Sequence, residues 1–326
     1  MKKAFITGGS GHVGSNLVRK LLKQGWCVRC LVHKDIRGLE GLDVELVNGD
    51  LLDSNFLAQQ MQGCYAVFHV AANVAVENID IELMEKINID GTKAMCRAAL
   101  KANIDRFIHF SSIHAFEQKP LFEILTEDRP LVSGVNSAPY DRTKASAELV
   151  VKEAYNEGLK TIIINPTGII GPYDYKPSRM GQVVLNIMNQ KMLFTINAGF
   201  NWVDVRDVCD AAIKSVDVGH YGQSYILPGR WASFEELAGI ISGIIGKNTR
   251  WITLPFWVAY CFLPFAYLSA KLRGKRPSFS KGSLHALAVQ AKKVSLDQAQ
   301  NKLNYQPRPL EETLKDTVDW MSNHVN

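Results

Sequence analysis

The sequence predicts a doubly wound parallel α/β fold with a smaller C-terminal lobe. Apolar, β-type runs alternate with amphipathic segments through the first half of the chain. Three glycines at a spacing of three, Gly8, Gly11 and Gly14, lie between the first apolar run and the first amphipathic segment. This alternation is typical of a parallel sheet covered by helices on both faces, and the glycine string is typical of its first turn.

The predicted elements follow one another in the order that such a sheet requires. Predicted strands cover residues 3–7, 26–32, 43–48, 65–70, 106–111 and 160–165. Predicted helices cover residues 12–24, 54–61, 80–102, 138–157 and 178–190. Helix 204–216 and strand 223–228 are expected to return to the same sheet. We therefore divide the chain into a first domain at 1–166, rejoined by roughly 200–228, and a mainly C-terminal lobe at 167–326.

The glycine string has the spacing of a phosphate-binding turn. The first apolar run ends at Thr7, where Gly8 can adopt the backbone angles of a sharp turn. Gly11 leaves room for a pyrophosphate, and Gly14 lets the following helix pack close to the strand. The N-terminus of that helix adds free N–H groups and a partial positive charge. The string therefore predicts dinucleotide binding, with an ordinary glycine-rich turn as the alternative.

Composition narrows the class of protein. Hydrophobic residues make up 47% and charged residues 21% of the 326 positions, which is ordinary for a globular chain. The net charge of +5 is concentrated at residues 271–276, and no basic stripe with interleaved aromatic residues favours nucleic-acid binding. Three apolar residues after the basic start are too few for a signal peptide, and six scattered cysteines suit a reducing compartment, so we expect a cytoplasmic location. Cys27 and Cys30 fall in a predicted strand, where residues three apart face opposite sides, so neither a disulfide nor a metal site is expected.

Residues 251–270 form an uncharged stretch ahead of the basic cluster at 271–276. Twenty uncharged residues are long enough to span a bilayer with the positive end in the cytoplasm. Pro255 and Pro264 interrupt the stretch, however, and so favour a buried helix or one that lines an apolar substrate site. Peripheral membrane contact and a true membrane span are the alternatives.

Tyr140 and Lys144 are four residues apart in a predicted helix and so lie on one face. A cation beside a phenol favours the ionised form, so we expect the pair to exchange a proton near neutral pH. Tyr267 and Lys271 have the same spacing, but they lie in the apolar stretch and lack a polar partner upstream. Ser112 ends a predicted parallel strand, where open α/β sheets bind ligands, and could donate a hydrogen bond to a substrate carbonyl oxygen.

Taken in order, these motifs resemble the extended short-chain dehydrogenase/reductases, also called the NAD(P)-dependent epimerase/dehydratase family. The resemblance covers nearly the whole chain and is specific in its order and spacing. It rests on residues 7–14, 49–53, 69–72, 88–92, 111–112, 140–144, 166–172, 203–208 and 303–307.

The resemblance implies a Rossmann fold and an enzyme that moves hydride between a nicotinamide and a carbonyl carbon. Tyr140 would be the general acid/base, Lys144 its tuner and a ligand of the nicotinamide ribose, and Ser112 the donor to the carbonyl oxygen. Asp50 would accept from the adenine amino group, and Asn88 would either serve the site or pack its helix. The residues expected at the cofactor are Gly8, Ser10, Gly11, His12, Val13, Gly14, His33, Lys34, Asp50, Leu51, Ala71, Ala72, Tyr140, Lys144, Pro166 and Thr167.

The end of the second predicted strand bears on the choice of cofactor. NAD-specific sites usually carry an acid there, which bonds the ribose 2′-hydroxyl. This chain has Val32, followed by His33 and Lys34, with Arg37 nearby. These basic groups favour NADP, whereas NAD stays possible because a shift in register would bring Asp35 into the site.

The motifs also favour one class of substrate. Relatives that act on nucleotide sugars usually have an arginine before the Val-x-Val-x-Asp stretch, where this chain has Phe200, Asn201 and Trp202. Residues 165–167 read Asn-Pro-Thr and resemble the dihydroflavonol reductase and 3β-hydroxysteroid dehydrogenase branch. We therefore expect an apolar ketone, aldehyde or β-keto substrate.

Two other functions are weighed against this one. The first is a sugar or nucleotide-sugar epimerase or dehydratase with bound NAD, since the same branch contains members assigned as sugar epimerases. The second is a non-catalytic redox sensor, although such proteins tend to lose the tyrosine or the lysine and both are present here. The resemblance is compatible with a monomer or with a homodimer formed through helices 80–102 and 138–157.

Overall fold

The computed structural model describes residues 1–74, 80–134, 137–191, 194–247, 251–259, 261, 263–265, 284 and 290–325. The described strands are β1 (Lys3–Thr7), β2 (Cys27–Val32), β3 (Glu45–Asn48), β4 (Ala66–His69), β5 (Arg106–Phe110), β6 (Thr161–Pro166), β7 (Gly168–Ile170), β8 (Phe194–Ile196), β9 (Gly199–Asp204), β10 (Ser224–Leu227), β11 (Arg230–Ser233) and β12 (Ile252–Leu254). The described helices are α1 (His12–Lys23), α2 (Ser54–Met61), α3 (Ile81–Glu85), α4 (Gly91–Lys101), α5 (Pro139–Asn156), α6 (Arg179–Met188), α7 (Val205–Val218), α8 (Phe234–Ile244), α9 (Asp297–Leu303) and α10 (Leu310–His324).

Seven of the described strands form one parallel sheet in the order β10-β6-β5-β4-β1-β2-β3. The strand order reverses at β1, which pairs with β2 on one side and with β4 on the other. Ligands bind at such a reversal, beyond the carboxyl ends of the strands. The doubly wound fold predicted from the sequence is confirmed, and β10 returns to the sheet beside β6 as expected.

Two apolar layers cover the faces of this sheet. Phe5 and Ile6 are adjacent in β1 and both fully buried, but they belong to different clusters because successive side chains of a strand point to opposite faces. Leu17 and Val18 of α1 pack on the Ile6 side, and Met95 of α4 packs on the Phe5 side. Strands that are buried on both faces have continuous apolar runs, which is why the sequence revealed them.

The predicted helix over 80–102 is interrupted by one wide turn. Residues Lys86–Asp90 form a π turn between α3 and α4, within a run of helix that the periodicity alone predicts as uniform. Asn88 lies in this turn with its side chain buried, and its amide group bonds both backbone groups of Asn73. The extra residue in the turn accompanies these contacts, and π turns of this kind are frequent at functional sites.

The C-terminal lobe has its own sheet and its own core. β9 lies between β7, which is parallel to it, and β11, which is antiparallel. Phe200 and Trp202 of β9 pack with Phe234 at ring-centroid distances of 5.9 and 6.0 Å. These side chains are buried in the lobe core together with α6, α8 and α10.

Residues 252–254 correct the prediction of one buried or substrate-lining helix over 251–270. They form β12, because the β-branched Ile252 and Thr253 pair in parallel with β8. Residues 256–259 are helical, and there Ala259 is buried whereas Trp257 is 68% exposed. Residues 260, 262 and 266–276 lie outside the described residues. Among the helices that are described, none is long and apolar enough to cross a bilayer.

Buried ion pairs join α7 to the segment before α10. The Asp204 side chain, which is fully buried, accepts hydrogen bonds from the backbone and guanidinium of Arg206. Asp207 accepts from the backbone N–H and guanidinium of Arg308. Burial alone would raise the pKa of Asp204, but the hydrogen bonds and charge of Arg206 together lower it. Two acids of the Val-x-Val-x-Asp stretch are therefore held in structural contacts.

We expect Asp204→Asn to lower the free energy of unfolding at pH 7 by about 2–4 kcal/mol, because Arg206 keeps only the half-exposed Asp316 as a partner and Arg308 loses one of its acids. A carboxyl with a lowered folded-state pKa stabilises above its ordinary value near 4 and loses that contribution as pH falls through the folded value. The deficit of the variant should therefore shrink at about pH 3. Urea unfolding at both pH values measures it.

Asp210→Asn is the matched control for this prediction. Asp210 lies on the same helix, pairs with Lys20 and is 51% exposed, so its loss should cost less than about 1 kcal/mol. Equal destabilisation by the two variants would contradict a special role for the buried pair.

Candidate active site

The glycine turn has the geometry that its sequence predicts. Gly8 has a φ of +71°, and a Cβ there would lie 2.7 Å from the backbone nitrogen of Ala71. A Cβ on Gly14 would lie 2.1 Å from the Gly8 carbonyl oxygen, so backbone contact fixes both positions as glycine. At Gly11 a Cβ would meet nothing nearer than that same oxygen at 3.4 Å. Space is therefore free above Gly11, where a phosphate would approach.

The start of α1 fits a dinucleotide pyrophosphate. Gly11 is the N-cap and brings no side-chain acceptor, and the first turn contains no acidic residue. The first N–H groups of a helix lack intrahelical partners and carry partial positive charge, so they suit an anion. His12 and Val13 contribute these N–H groups, while the His12 side chain is held by the Pro172 carbonyl oxygen at 3.2 Å. Ser10 precedes the N-cap and is partly exposed.

The carboxyl ends of β1 and β4 are joined beneath this turn. The Thr7 hydroxyl lies 2.8 Å from Nδ1 of His69 and accepts from the backbone N–H of Ala71 at 3.2 Å. Nε2 of His69 lies 3.0 Å from the Thr92 hydroxyl. Burial lowers the pKa of His69 to about 3, so this histidine is neutral and structural. Ala71 and Ala72 follow it as a partly exposed edge of the site.

The adenosine half of a dinucleotide would lie between two regions beside the turn, residues 50–51 and the end of β2. Asp50 is exposed, and its Oδ1 accepts from the backbone of Leu52 at 3.0 Å, which leaves the rest of the carboxylate open. The Leu51 side chain lies against Gly91, where an added Cβ would be 2.7 Å from it.

The end of β2 has no carboxylate in its last position. β2 ends at Val32, and His33 and Lys34 follow as exposed side chains. Asp35 is engaged by Arg37 through two hydrogen bonds of 2.9 and 2.6 Å, which lower the pKa of Asp35 to about 2. Asp35, the acid near the end of β2, is therefore paired with Arg37.

Ser112, Tyr140 and Lys144 meet at the carboxyl end of β5. Ser112 caps the short turn Ile113–Ala115, and its hydroxyl accepts from the backbone of His114 at 3.2 Å. Tyr140 lies in the first turn of α5, where it hydrogen-bonds the Ser112 side chain. The Lys144 ammonium is buried one turn later and donates to the Phe110 carbonyl oxygen at 2.8 Å. Ser112 and Tyr140 are thus in contact, and Lys144 binds the backbone two residues before Ser112. Tyr267 and Lys271 lie outside the described residues.

The pKa of Tyr140 departs from the sequence-based expectation. Burial raises it to about 12, and the hydrogen bond from Ser112 offsets only part of that rise. Burial also lowers the pKa of Lys144 to about 8. The expected lowering of the phenol pKa by its cation is not found, because burial and the charge of Asp141 raise the pKa by more than the hydrogen bond from Ser112 lowers it. Tyr140 therefore keeps its proton at neutral pH.

Asn88 connects the π turn to α5, the helix that carries Tyr140 and Lys144. Its Nδ2 donates to the Thr143 hydroxyl at 3.0 Å, and that hydroxyl donates to the Tyr140 carbonyl oxygen at 2.9 Å. Asn88 also bonds the backbone of Asn73, at the end of the β4 loop. Asn88 therefore joins the π turn to the first turn of α5 and to the segment after β4.

Further residues of the site were not found from the sequence. His114 lies beside Tyr140 at a centroid distance of 6.5 Å, and its Nδ1 lies 3.7 Å from the Asp141 carboxylate. Glu148 and Asn165 are buried together behind Ser112. No local pattern predicts these contacts, because each joins segments distant in the chain.

The segment that follows β6 contacts β9 of the C-terminal lobe. Pro166 ends β6, and the Thr167 hydroxyl donates to the Asn201 side chain at 3.1 Å. Phe200 and Trp202 lie in the lobe core, where the indole N–H of Trp202 donates to the Ala232 carbonyl oxygen at 3.0 Å. They take the place of an arginine in the sequence, and both are buried.

Comparison with known proteins agrees with this geometry. The model of the NAD dependent epimerase/dehydratase family matches residues 4–226. The chain is 33% identical to the "Putative dihydroflavonol 4-reductase" of Synechocystis sp., over 98% of this chain and 94% of the relative. It is 31% identical to the sterol demethylase protein B of Methylococcus capsulatus, over 77% of each chain.

A solved structure extends the agreement over the full length. The crystal structure of gox2253 is similar with a TM-score of 0.85 and 30% sequence identity, and the match covers 100% of this chain and 99% of that chain. The family match, the fold and the Ser-Tyr-Lys geometry lead to one conclusion: this chain belongs to the NAD-dependent epimerase/dehydratase family of extended short-chain dehydrogenase/reductases.

Proposed function

We propose that this protein is an NADP-dependent oxidoreductase that reduces an apolar ketone, aldehyde or β-keto compound. The observation that carries the proposal is the placement of Ser112, Tyr140 and Lys144 at the carboxyl end of β5, on the same edge of the parallel sheet as the glycine turn that follows β1. The relatives named as a dihydroflavonol 4-reductase and a sterol demethylase protein support an apolar carbonyl substrate.

In this proposal the side chains divide the work on the carbonyl group. A bound nicotinamide would supply hydride to the carbonyl carbon. Ser112 donates a hydrogen bond to the carbonyl oxygen and so orients it, and Tyr140 transfers its phenolic proton to that oxygen. The Lys144 ammonium then stabilises the phenolate left on Tyr140 until a proton returns from solvent.

The cofactor part of the proposal rests on the end of β2. His33 and Lys34 are exposed there, and Asp35 is already bound by Arg37, so no free carboxylate competes with a 2′-phosphate. His33, Lys34 and the glycine-turn residues Gly8, Ser10, Gly11, His12, Val13 and Gly14 would hold the phosphates. Asp50, Leu51, Ala71, Ala72, Pro166 and Thr167 would line the remainder of the cofactor.

A panel of carbonyl compounds, from aromatic ketones to acyl chains, tests the proposal when NADPH and NADH are compared for each. We expect turnover with an apolar member and tighter binding of NADPH. The variant His33→Asp should weaken NADPH binding by about 10- to 100-fold, because a carboxylate repels the 2′-phosphate, and should leave NADH binding equal or tighter. Titration of cofactor fluorescence measures both affinities.

His220→Asp is the matched control, since it makes the same substitution at an exposed histidine just before β10. It should change neither affinity. Wild-type protein that binds NADH as well as NADPH would contradict the cofactor proposal.

A sugar or nucleotide-sugar epimerase or dehydratase with bound NAD is the second candidate, and the name of the family favours it. Such an enzyme regenerates its nicotinamide in each cycle and needs none added. Purified protein that converts a nucleotide sugar without external cofactor would therefore reject the reductase.

The location, oligomeric state and membrane contact of the protein are also part of the proposal. We propose a cytoplasmic enzyme, a monomer or homodimer, with peripheral membrane contact through 251–270 as one use of its exposed apolar groups. The exposed side chains of Trp257 and Phe265 support that contact.

A further inference from the structure

One buried acid on the catalytic helix has no part in the mechanism above. α5 carries Tyr140, Lys144, Glu148 and Lys152 at intervals of four, so the four side chains lie along one face. The Glu148 side chain is 0% exposed. A carboxyl group removed from water is costly unless hydrogen bonds or a counter-charge stabilise it, so a buried glutamate one turn beyond the catalytic lysine requires an explanation.

The contacts of Glu148 lead directly to Ser112. Oε1 of Glu148 accepts a hydrogen bond from Nδ2 of Asn165, and the same Nδ2 donates to the Ser112 carbonyl oxygen at 3.1 Å. Two residues earlier, the Phe110 carbonyl oxygen accepts from Lys144. The strand end that carries Ser112 is therefore held by Lys144 of α5 and by Asn165, which Glu148 orients.

The second oxygen of Glu148 is poorly satisfied. Oε2 has no hydrogen-bond partner within the part of the chain that the structure describes, and the same holds for the Ser111 hydroxyl. Burial raises the pKa of Glu148, whereas the hydrogen bond from Asn165 and the charges of Lys152 and Lys144 lower it. Asn165 is neutral, so the positive charges that face this carboxylate come from its own helix.

The effect on Lys144 has the opposite sign. Burial lowers its pKa to about 8, and Glu148 raises it. The other titratable groups nearby are His69 and His109, and burial lowers the pKa of both, so they are neutral and add no charge. Glu148 thus opposes the effect of desolvation on the Lys144 ammonium.

We propose that Glu148 is a positioning residue of this active site, which sets the Ser112 strand end through Asn165 and supplies the negative charge that keeps Lys144 protonated. The inference rests on the proposed function, because it takes Ser112 and Lys144 as groups that act on the substrate. Glu148 thereby joins Ser112, Tyr140 and Lys144 as a residue on which the activity of the site depends.

The charge is tested without any substrate, by NMR titration of lysine labelled with ¹³C at Cε, with the Lys144 signal assigned from Lys144→Met. In wild-type protein this signal should titrate near pH 8. In Glu148→Gln, which keeps an oxygen acceptor for Asn165, it should titrate at lower pH, because a cation without its anion loses its proton more easily. Glu153→Gln, an exposed acid on the same helix, should leave it unchanged. An unchanged titration in Glu148→Gln would overturn the proposed charge.

The positioning is tested with Glu148→Asp, which keeps the charge but is one methylene too short to hold Asn165. We expect kcat to fall about tenfold or more at about pH 6.5, since small displacements of catalytic groups are costly, while the lysine still titrates near pH 8. Wild-type kcat in this variant would refute the positioning role, and this variant also decides the case if Glu148→Gln does not fold. Absence of turnover in the wild type would count against the proposed function, whereas the lysine titration would still test the charge of Glu148 independently.

Discussion

Tyr140→Phe is expected to reduce the rate of carbonyl reduction by about 10³-fold while cofactor affinity stays within about twofold. The substitution removes one phenolic proton, and general acid catalysis of this kind contributes about 10²–10⁴-fold. Burial raises the pKa of Tyr140 to about 12, so the proton is present throughout the neutral range and its loss cannot be compensated by a change of pH. Single-turnover oxidation of NADPH measures the chemical step apart from product release.

Tyr155→Phe provides the matched control for this prediction. Tyr155 lies in the last turn of the same helix, whereas Tyr140 lies in the first turn, and its side chain is 42% exposed. Loss of its hydroxyl should therefore leave the rate unchanged. If Tyr140→Phe kept more than about a tenth of wild-type activity, the acid would have to be sought elsewhere, with His114 as the neighbouring candidate.

Gly14→Ala is expected to abolish measurable cofactor binding and to lower the free energy of unfolding by about 3 kcal/mol. The added methyl carbon would lie 2.1 Å from the Gly8 carbonyl oxygen and 2.6 Å from Cα of Gly9, both of which are backbone and cannot rotate away. Either α1 moves from the turn or the turn opens, and overpacking of this kind costs about 1–3 kcal/mol or more. Thermal unfolding and NADPH titration report the two effects.

Alanine substitutions at two other glycines separate the effect on cofactor binding from the effect on stability. Gly11→Ala adds a carbon whose nearest contact is the Gly8 oxygen at 3.4 Å, so it should fold but bind cofactor about tenfold or more weakly, because the carbon enters the space above the turn. Gly239→Ala, within α8 and with nothing within 4 Å of its added carbon, should leave binding unchanged and stabilise the fold by up to about 1 kcal/mol. Full cofactor affinity in Gly14→Ala would contradict the assignment of this turn to the pyrophosphate.

The order of strands and helices was predictable because it is written in local periodicity. Each strand and helix predicted before residue 191, apart from the interrupted run over 80–102, is present with ends within two residues of the prediction. The return of 223–228 to the sheet was predictable for the same reason. The π turn at 86–90 was not, because the contacts that accompany it join Asn88 to Asn73, fifteen residues away.

The candidate site divides along the same line. Sequence spacing alone placed Tyr140 and Lys144 on one helix face and the three glycines in one turn, since the distance along a helix or turn follows from residue separation. It could not reveal that Asp35 is engaged by Arg37, that Phe200 and Trp202 face the lobe core, or that two acids of the Val-x-Val-x-Asp stretch hold structural arginines.

By itself the sequence determined the fold class and the family, and it predicted the chemical groups of the proposed reaction. The tertiary structure decided the protonation of these groups: burial raises the pKa of Tyr140 and lowers the pKa of Lys144. It also placed the buried acid Glu148 one turn beyond Lys144. The reason is that a protonation state depends on how much water is excluded and on which charges remain near, and both are set by segments that meet only when the chain is folded.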